Sequence, residues 1–446
     1  MIIHTVGGYN EVGKNMTAVE IENEAVIIDM GIHLEPYIKY TEDEDIGNIS
    51  AEELRKVGAV PDDSVIKPIR NKVKAIIPTH AHLDHVGAII YLSNKYSCPI
   101  ICTPFTAEVI KSIVKDEKIR LKNEIKVLNV NSSYKLSRDL KIEFINITHS
   151  TPQVVIAALH TREGTLIYAN DFKFDNHPII GKKPNYERLR KIGKAGVKCL
   201  IVDSTRAGHP VKTPSETVAR EMLRDVLLGV DSKGKAVIVT TFSSHLARLK
   251  SIVEFGVKMN RKIVFLGRSL AKYTEAGENI GLVKFSGRVE IVKYGNKIKR
   301  KLSQVMKQGP EKYLLVVTGH QGEPKSTLSR MVKKGINFKF RPEDHVIFSC
   351  RIIPSQINVI NRKKLEDELM HRGARIFRDI HVSGHAAKED LRDMLTMLSP
   401  QHIVPAHGNL DMKMSLANLA IEKGYEMEKS IHILKDGETL KLSNKM

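Results

Sequence analysis

Short apolar runs that each end in a histidine or an aspartate recur along this chain. Residues 2–6, 17–21 and 24–29 read as strands, and the run Ala25-Val26-Ile27-Ile28 ends at Asp29. A strand at 73–77 opens onto Thr79-His80-Ala81-His82-Leu83-Asp84-His85. The following Val86-Gly87-Ala88-Ile89-Ile90-Tyr91-Leu92 predicts a helix running to about residue 95. Strands are expected at 100–103, 124–130 and 141–147, with a helix at 104–115, and His149 lies just past the third strand. Paired strands at 154–160 and 165–169 lead to Asn170-Asp171, and Ile403-Val404-Pro405-Ala406 ends at His407. A sheet that presents ligands from one edge has this layout.

Between Asp203 and His381 the pattern changes. Helices at 215–228, 244–258, 270–279 and 356–372 alternate with strands at 236–240, 262–266, 313–318 and 345–350. Such alternation predicts a parallel sheet flanked by helices. The fold class is therefore α/β, with this block inserted at 207–377 between 1–206 and 378–446. The turn from Gly7 to Asn15 suits a plain hairpin better than a phosphate loop, and Glu42-Asp43-Glu44-Asp45 reads as a solvated loop.

Composition narrows the partners. The chain has 446 residues, with 70 Lys+Arg against 51 Asp+Glu, a formal charge of +19. That surplus favours a polyanion, which is drawn in over long range and releases counterions on binding. Four cysteines are too few for a disulfide framework and are expected to be buried thiols. No signal peptide and no apolar run of about 18 residues is visible, so a soluble cytoplasmic protein is expected. Aromatic residues make up only 5% and Trp is absent, so base stacking is expected to matter less than backbone contacts.

The turn from Thr79 to His85 carries the chemistry. Three histidines and an aspartate within six residues form a dense ligand set suited to Zn²⁺, with Mn²⁺ an alternative. Taken singly, His149, Asp171 and His407 would more often be structural. Beside the ligand turn they become the candidates to complete its coordination, and Asp29 fits a supporting position.

The run His80-Ala81-His82-Leu83-Asp84-His85, with His149, Asp171 and His407, resembles the metallo-β-lactamase superfamily. The inserted block between Asp203 and His385 looks like its β-CASP nucleic-acid-processing branch. Gly7-Gly8-Tyr9-Asn10-Glu11-Val12-Gly13-Lys14-Asn15, Thr318-Gly319-His320-Gln321-Gly322-Glu323-Pro324 and His381-Val382-Ser383-Gly384-His385-Ala386 narrow the resemblance to the ribonuclease J family, archaeal type. His320 departs from the bacterial members, which usually have serine there.

This resemblance implies an αββα sandwich, two zinc ions and hydrolysis of single-stranded RNA from a 5′-monophosphate end by two-metal hydroxide attack. His80, His82 and His149 would hold one ion, Asp84, His85 and His407 the other, and Asp171 would bridge them. Catalytic roles fall to Asp84 and to His385, the proton donor oriented by Asp203. Asp29 would fix a ligand histidine. Ser243, Ser244, His245, His381, Ser383 and Gly384 would recognise the 5′ phosphate, and a homodimer is expected. The basic stretch at 293–301 reads as a solvated helix face in preference to an RNA track. Rival readings are an RNA endonuclease of the cleavage and polyadenylation factor type, a small-molecule metallohydrolase, and a non-catalytic RNA-binding scaffold.

Overall fold

The computed structural model describes residues 1–41, 49–333, 335–353 and 355–443. The acidic run at 42–45 lies outside them. The chain divides into two compact units. Unit 1 comprises Met1–Asn176, Gly181–Thr213 and Ser383–Met446, and unit 2 comprises His177–Ile180 and Pro214–Val382. The division thus falls at 213/214 and 382/383, a few residues beyond the expected 206/207 and 377/378. Among the described residues no helix is long and apolar enough to cross a membrane.

Unit 1 is built on two sheets. Strands β1 (Ile2–Gly7), β2 (Met16–Ile21), β3 (Glu24–Ile28), β4 (Val73–Ile77), β5 (Ile100–Cys102) and β6 (Ile125–Val127) join β19 (Thr439–Lys441) in the order β19-β1-β2-β3-β4-β5-β6. The second sheet contains β7 (Ser133–Lys135), β8 (Leu140–Asn146), β9 (Val155–Thr161), β10 (Gly164–Ala169), β11 (Cys199–Asp203) and β18 (His402–Ala406), ordered β18-β11-β10-β9-β8-β7. Val26, Ile28, Ala75 and Ile77 of the first sheet pack in one core with Phe144, Val155, Leu166 and Ile201 of the second. The second sheet's other face buries Ile156, Ile167 and Leu200 against Leu189, Met394 and Leu416, which come from helices Tyr186–Ala195, Lys388–Leu398 and Leu410–Glu422. Strands buried on both faces explain the unbroken apolar runs in β3, β4 and β11.

Parallel pairing fixes where the chemistry emerges. β3 runs parallel to β4, with Ile28 opposite Ile77, so Asp29 and the 79–85 turn leave the same edge. β10, β11 and β18 are mutually parallel, with Ala169 opposite Val202 and Asp203 opposite Ala406. Asp171, Asp203 and His407 therefore gather at one end of the second sheet.

The helix expected after the ligand turn is broken. Leu83–Val86 and Ile89–Leu92 are separate short helices, followed by a 3₁₀ turn at Ser93–Lys95. The Asp84 carbonyl, which a continuing helix would use for Ala88, accepts instead from the Asn15 backbone N–H at 3.0 Å. The Ala88 N–H turns to the Met30 carbonyl at 2.9 Å. Residues Met30–Ile32 thus clamp the ligand turn, and the close passage needs glycine at Gly31. A Cβ there would lie 1.6 Å from the Asp84 carbonyl oxygen.

Unit 2 holds β12 (Val237–Thr240), β13 (Lys262–Leu266), β14 (Val289–Val292), β15 (Tyr313–Val317), β16 (His345–Phe348) and β17 (Arg375–Phe377), ordered β14-β13-β15-β12-β16-β17 with every pair parallel. Ile238, Val264, Leu315 and Val346 pack with Leu302, Met331 and Leu365 of helices Gly295–Gln308, Thr327–Val332 and Gln356–His371. Helix Leu246–Lys258 covers the other face, where Gly256 meets Ile263. The basic stretch is not uniformly solvated, because Lys301 is buried, 2.5 Å from Glu290 Oε2 and with its ammonium over the Tyr313 ring. All four cysteines are free and buried.

Candidate metal centre

Seven side chains from four separate stretches of unit 1 converge. His80 Nε2 lies 3.1 Å from His82 Nδ1 and 3.5 Å from Asp171 Oδ2. His149 Nε2 is 3.2 Å from His82 Nδ1 and 3.3 Å from Asp171 Oδ2. In a second group, His85 Nε2 lies 3.4 Å from Asp171 Oδ2 and 3.6 Å from Asp84 Oδ2. His407 Nε2 is 3.3 Å from Asp171 Oδ1 and 3.8 Å from Asp84 Oδ2. Each group could hold a metal ion, and both use Asp171.

The separations can be tested against coordination geometry. A tetrahedron with bonds of about 2.0–2.1 Å has edges of about 3.3–3.4 Å. The first group spans 3.1–3.5 Å and the second 3.3–3.8 Å. The donor sets are imidazole and carboxylate, as zinc or manganese would take. Asp171 Oδ1 is buried without a hydrogen bond. An uncompensated buried carboxylate oxygen is costly, and a cation would satisfy it. The residues fit bound metal.

The outer ring nitrogens are anchored on oxygen. His85 Nδ1 lies 2.7 Å from Asp29 Oδ2, and Asp29 also accepts from the Thr79 backbone N–H at 2.8 Å and the Thr79 hydroxyl at 2.9 Å. His80 Nδ1 is 3.1 Å from Thr79 Oγ1. His149 Nδ1 donates to the Gly384 carbonyl at 2.7 Å, and His407 Nδ1 to Asn15 Oδ1 at 2.9 Å. Such contacts fix the ring planes and turn Nε2 of each toward Asp171, with the Asn15 amide nitrogen also 3.1 Å from His85 Nε2. Thr79 and Asn15 have no signal of their own in the sequence, since neither is an obvious ligand.

Charge follows from this packing. Burial pushes the His80 and His82 imidazoles well below their ordinary value, and neighbouring histidines push the same way. Burial opposes ionisation of Asp171, yet His407, His85 and His385 outweigh it and hold the carboxyl well below the usual range. His80 and His82 are thereby neutral and ligand-competent. At His85, by contrast, burial is outweighed by the carboxylates of Asp29, Asp171 and Asp84, which hold the imidazole well above its ordinary value, so a metal there would displace a proton.

A third group joins Asp171, Asp203 and His385. His385 Nδ1 donates to Asp203 Oδ2 at 2.8 Å and lies 4.0 Å from Asp171 Oδ1. Asp203 Oδ1 accepts from the Thr205 N–H at 2.8 Å. Burial pulls the His385 pKa down, but Asp171 and Asp203 outweigh that and hold it up at about 9.

The phosphate-binding candidates do not form one set of free donors. Ser383 Oγ accepts from the His385 backbone N–H at 3.1 Å. Gly384 passes so close to His149 that a Cβ would lie 2.7 Å from its Nδ1. In unit 2, Ser243 Oγ shares a 2.9 Å hydrogen bond with Ser269 Oγ, and Ser244 is buried. The helix expected from residue 244 starts at Leu246 with buried His245 as its cap. His245 Nδ1 accepts from the Arg248 N–H at 3.4 Å, and Nε2 lies 3.3 Å from Glu216 Oε2, so both ring nitrogens face protein partners. His381 is largely enclosed, its Nδ1 has no hydrogen-bond partner, and burial with nearby Arg248 pushes its pKa down to about 2. His320 packs edge-on against Phe242, ring centres 4.4 Å apart.

The fold and this centre define a metallo-β-lactamase enzyme with a β-CASP insertion. Residues 9–227 match the metallo-β-lactamase superfamily, 234–365 the "Ribonuclease J, beta-CASP domain", and 370–433 the "Zn-dependent metallo-hydrolase RNA specificity domain". The chain belongs to the ribonuclease J family. It is 45% identical to Ribonuclease J of Methanocaldococcus jannaschii, over 98% of each chain. It is also 45% identical to Ribonuclease J of Pyrococcus abyssi, over 99% of this chain and 97% of that one. A crystal structure of a protein of unknown function from Enterococcus faecalis shares the fold, with TM-score 0.65 at 17% identity over 98% of this chain and 99% of that one.

Proposed function

We propose that this protein is a 5′-to-3′ exoribonuclease that hydrolyses single-stranded RNA, favours 5′-monophosphate ends and works with two zinc ions. The observation that carries this reading is the arrangement of His80, His82 and His149 on one side of Asp171 and of Asp84, His85 and His407 on the other. Metal ions bound there would polarise the scissile phosphate and acidify the attacking water. Asp171, reaching both groups, would set their spacing, and Asp29, Thr79 and Asn15 would hold the ligand rings in place.

The leaving 3′ oxygen needs a proton. His385 carries one, with Nδ1–H committed to Asp203 and Nε2–H left to donate. A positioned general acid contributes about 10²–10⁴-fold. For the 5′ phosphate, the buried Nδ1 of His381 and the hydroxyls of Ser243 and Ser244 are the proposed contacts within unit 2. His245 would act by holding its helix and Glu216, and Ser383 and Gly384 by fixing His385 and His149.

RNA labelled at either end, carrying a 5′ monophosphate, triphosphate or hydroxyl, tests the reading. Immediate release of 5′ mononucleotides from the monophosphorylated RNA alone is expected. Internal cuts indifferent to the 5′ group would instead favour an endonuclease of the cleavage and polyadenylation factor type.

A further inference from the structure

Unit 2 carries a second basic feature, formed by residues that take no part in the metal centre. Edge strand β14 and the helix Gly295–Gln308 enclose an open cavity of about 410 Å³. Glu290, Lys293, Tyr294, Lys297, Arg300 and Gln304 line it. Lys301 neutralises Glu290 from beneath. Lys297 and Arg300 are exposed and make no ion pair among the described residues. Two cationic groups are thus left facing solvent at one end of the helix.

Tyr294 stands among them. It is 54% exposed, and every other large exposed apolar side chain among the described residues is aliphatic or methionine. Lys293 Nζ lies 5.8 Å from its ring centre and 4.0 Å from Glu275 Oε2. In a chain with few aromatics, a half-exposed ring beside the exposed Lys297 and Arg300 is a specific arrangement. Aromatic faces stack on nucleobases, and cations three residues apart on a helix can follow a phosphate backbone.

We infer that the Tyr294 face is an RNA exosite, stacking one base of a single strand on Tyr294 and contacting its phosphates through Lys297 and Arg300. It rests on the proposed ribonuclease function. It adds a hold on long substrates that short ones cannot use. The cationic surplus favours RNA over an added peptide strand at the β14 edge, because strand addition rests on main-chain pairing and not on charge.

Steady-state cleavage by the full chain tests this, comparing a long 5′-monophosphorylated single-stranded RNA with a trinucleotide. Tyr294→Ala should raise KM for the long RNA roughly tenfold. It should leave kcat and the trinucleotide KM unchanged, and Tyr294→Phe should behave as wild type. Lys297→Glu and Arg300→Glu should each flatten the salt dependence of the long-RNA KM by about 0.7 in log–log slope. RNA containing 4-thiouridine should crosslink to Tyr294 or its neighbours. Unchanged long-RNA KM in Tyr294→Ala and both charge reversals would overturn the exosite while leaving the ribonuclease reading intact. A change in oligomeric mass without a change in KM would assign this face to a second copy of the chain and overturn it too. A wild-type protein that cleaves no RNA would overturn both readings together.

Discussion

Asn15 Oδ1 accepts a 2.9 Å hydrogen bond from His407 Nδ1 across 392 residues of sequence. The same side chain sends Nδ2 to the Asp84 carbonyl at 3.1 Å and receives Asn170 Nδ2 at 3.2 Å. One buried amide thus ties the first turn of the chain to three of the loops that carry ligands.

Replacing it should loosen His407 without unfolding the sandwich. Asn15→Ala is expected to weaken metal binding by about 10–100-fold. Competition with a chromogenic chelator measures this. An unaltered affinity would mean that His407 holds its orientation without help.

Metal removal should be felt in stability as well as activity. Stripping the ions leaves the Asp171 carboxylate buried beside His80, His85, His149 and His407, with Oδ1 unbonded. Chelated protein should melt several degrees lower by calorimetry while keeping its far-ultraviolet circular dichroism. Identical melting with and without chelator would count against any bound cation.

The proton donor makes a signed pH prediction. His385 is held at about 9, so its protonated form prevails below that pH and is lost as pH rises through it. Turnover should therefore fall on the alkaline side. Asp203→Asn removes one of the two carboxylates that raise the value, so the alkaline limb should move to lower pH. Cations at Asp171 move it the same way, and the two proteins are to be compared at equal metal loading. A limb that stays in place would remove Asp203 from this role.

Unit 2 contains a buried pair that can be broken cleanly. Arg248 is fully buried and gives Nε and Nη2 to the two Glu216 oxygens at 2.6 and 2.9 Å. Its Nη1 reaches the carbonyls of Ser349 and Ile380 at 2.9 and 3.0 Å. Arg248→Met should destabilise by about 3–5 kcal/mol, because it removes the buried guanidinium that makes two hydrogen bonds to the Glu216 carboxylate. Guanidinium titration measures the loss. A loss below 1 kcal/mol (about the worth of an exposed pair) would deny the pair its structural part.

Acid should act on the same pair. Burial opposes the Glu216 charge, but His245 and Arg248 hold its carboxyl well below the ordinary 4.5. A depressed folded value contributes stability that is complete above 4.5 and drains away as pH falls below it. Glu216→Gln should flatten that acid dependence.

The sequence revealed the centre because four ligands crowd one turn and the others close apolar strands. Asp29, Asp171, Asp203 and His407 each sit at or just past a strand end, and parallel pairing lines those ends up. Contacts set by distant chain were not legible. The helix after His85 breaks because Asn15 takes the Asp84 carbonyl. Lys301 is buried because Glu290 and Tyr313 receive it, although its run of lysines looks solvated. Arg248 reads as one more helical cation until its partners on Glu216, Ser349 and Ile380 are in view.

Asp29, Asp171 and His407 all adopt left-handed backbone conformations, with φ of 59°, 47° and 54°. Such corners cost non-glycine residues about 1–3 kcal/mol each. Glycine would relieve every one of them and would delete the group the corner exists to aim. Selection for durability and selection for turnover therefore pull against each other at these three positions, and a thermostability screen run without an activity check would drift toward a sturdier, inert protein.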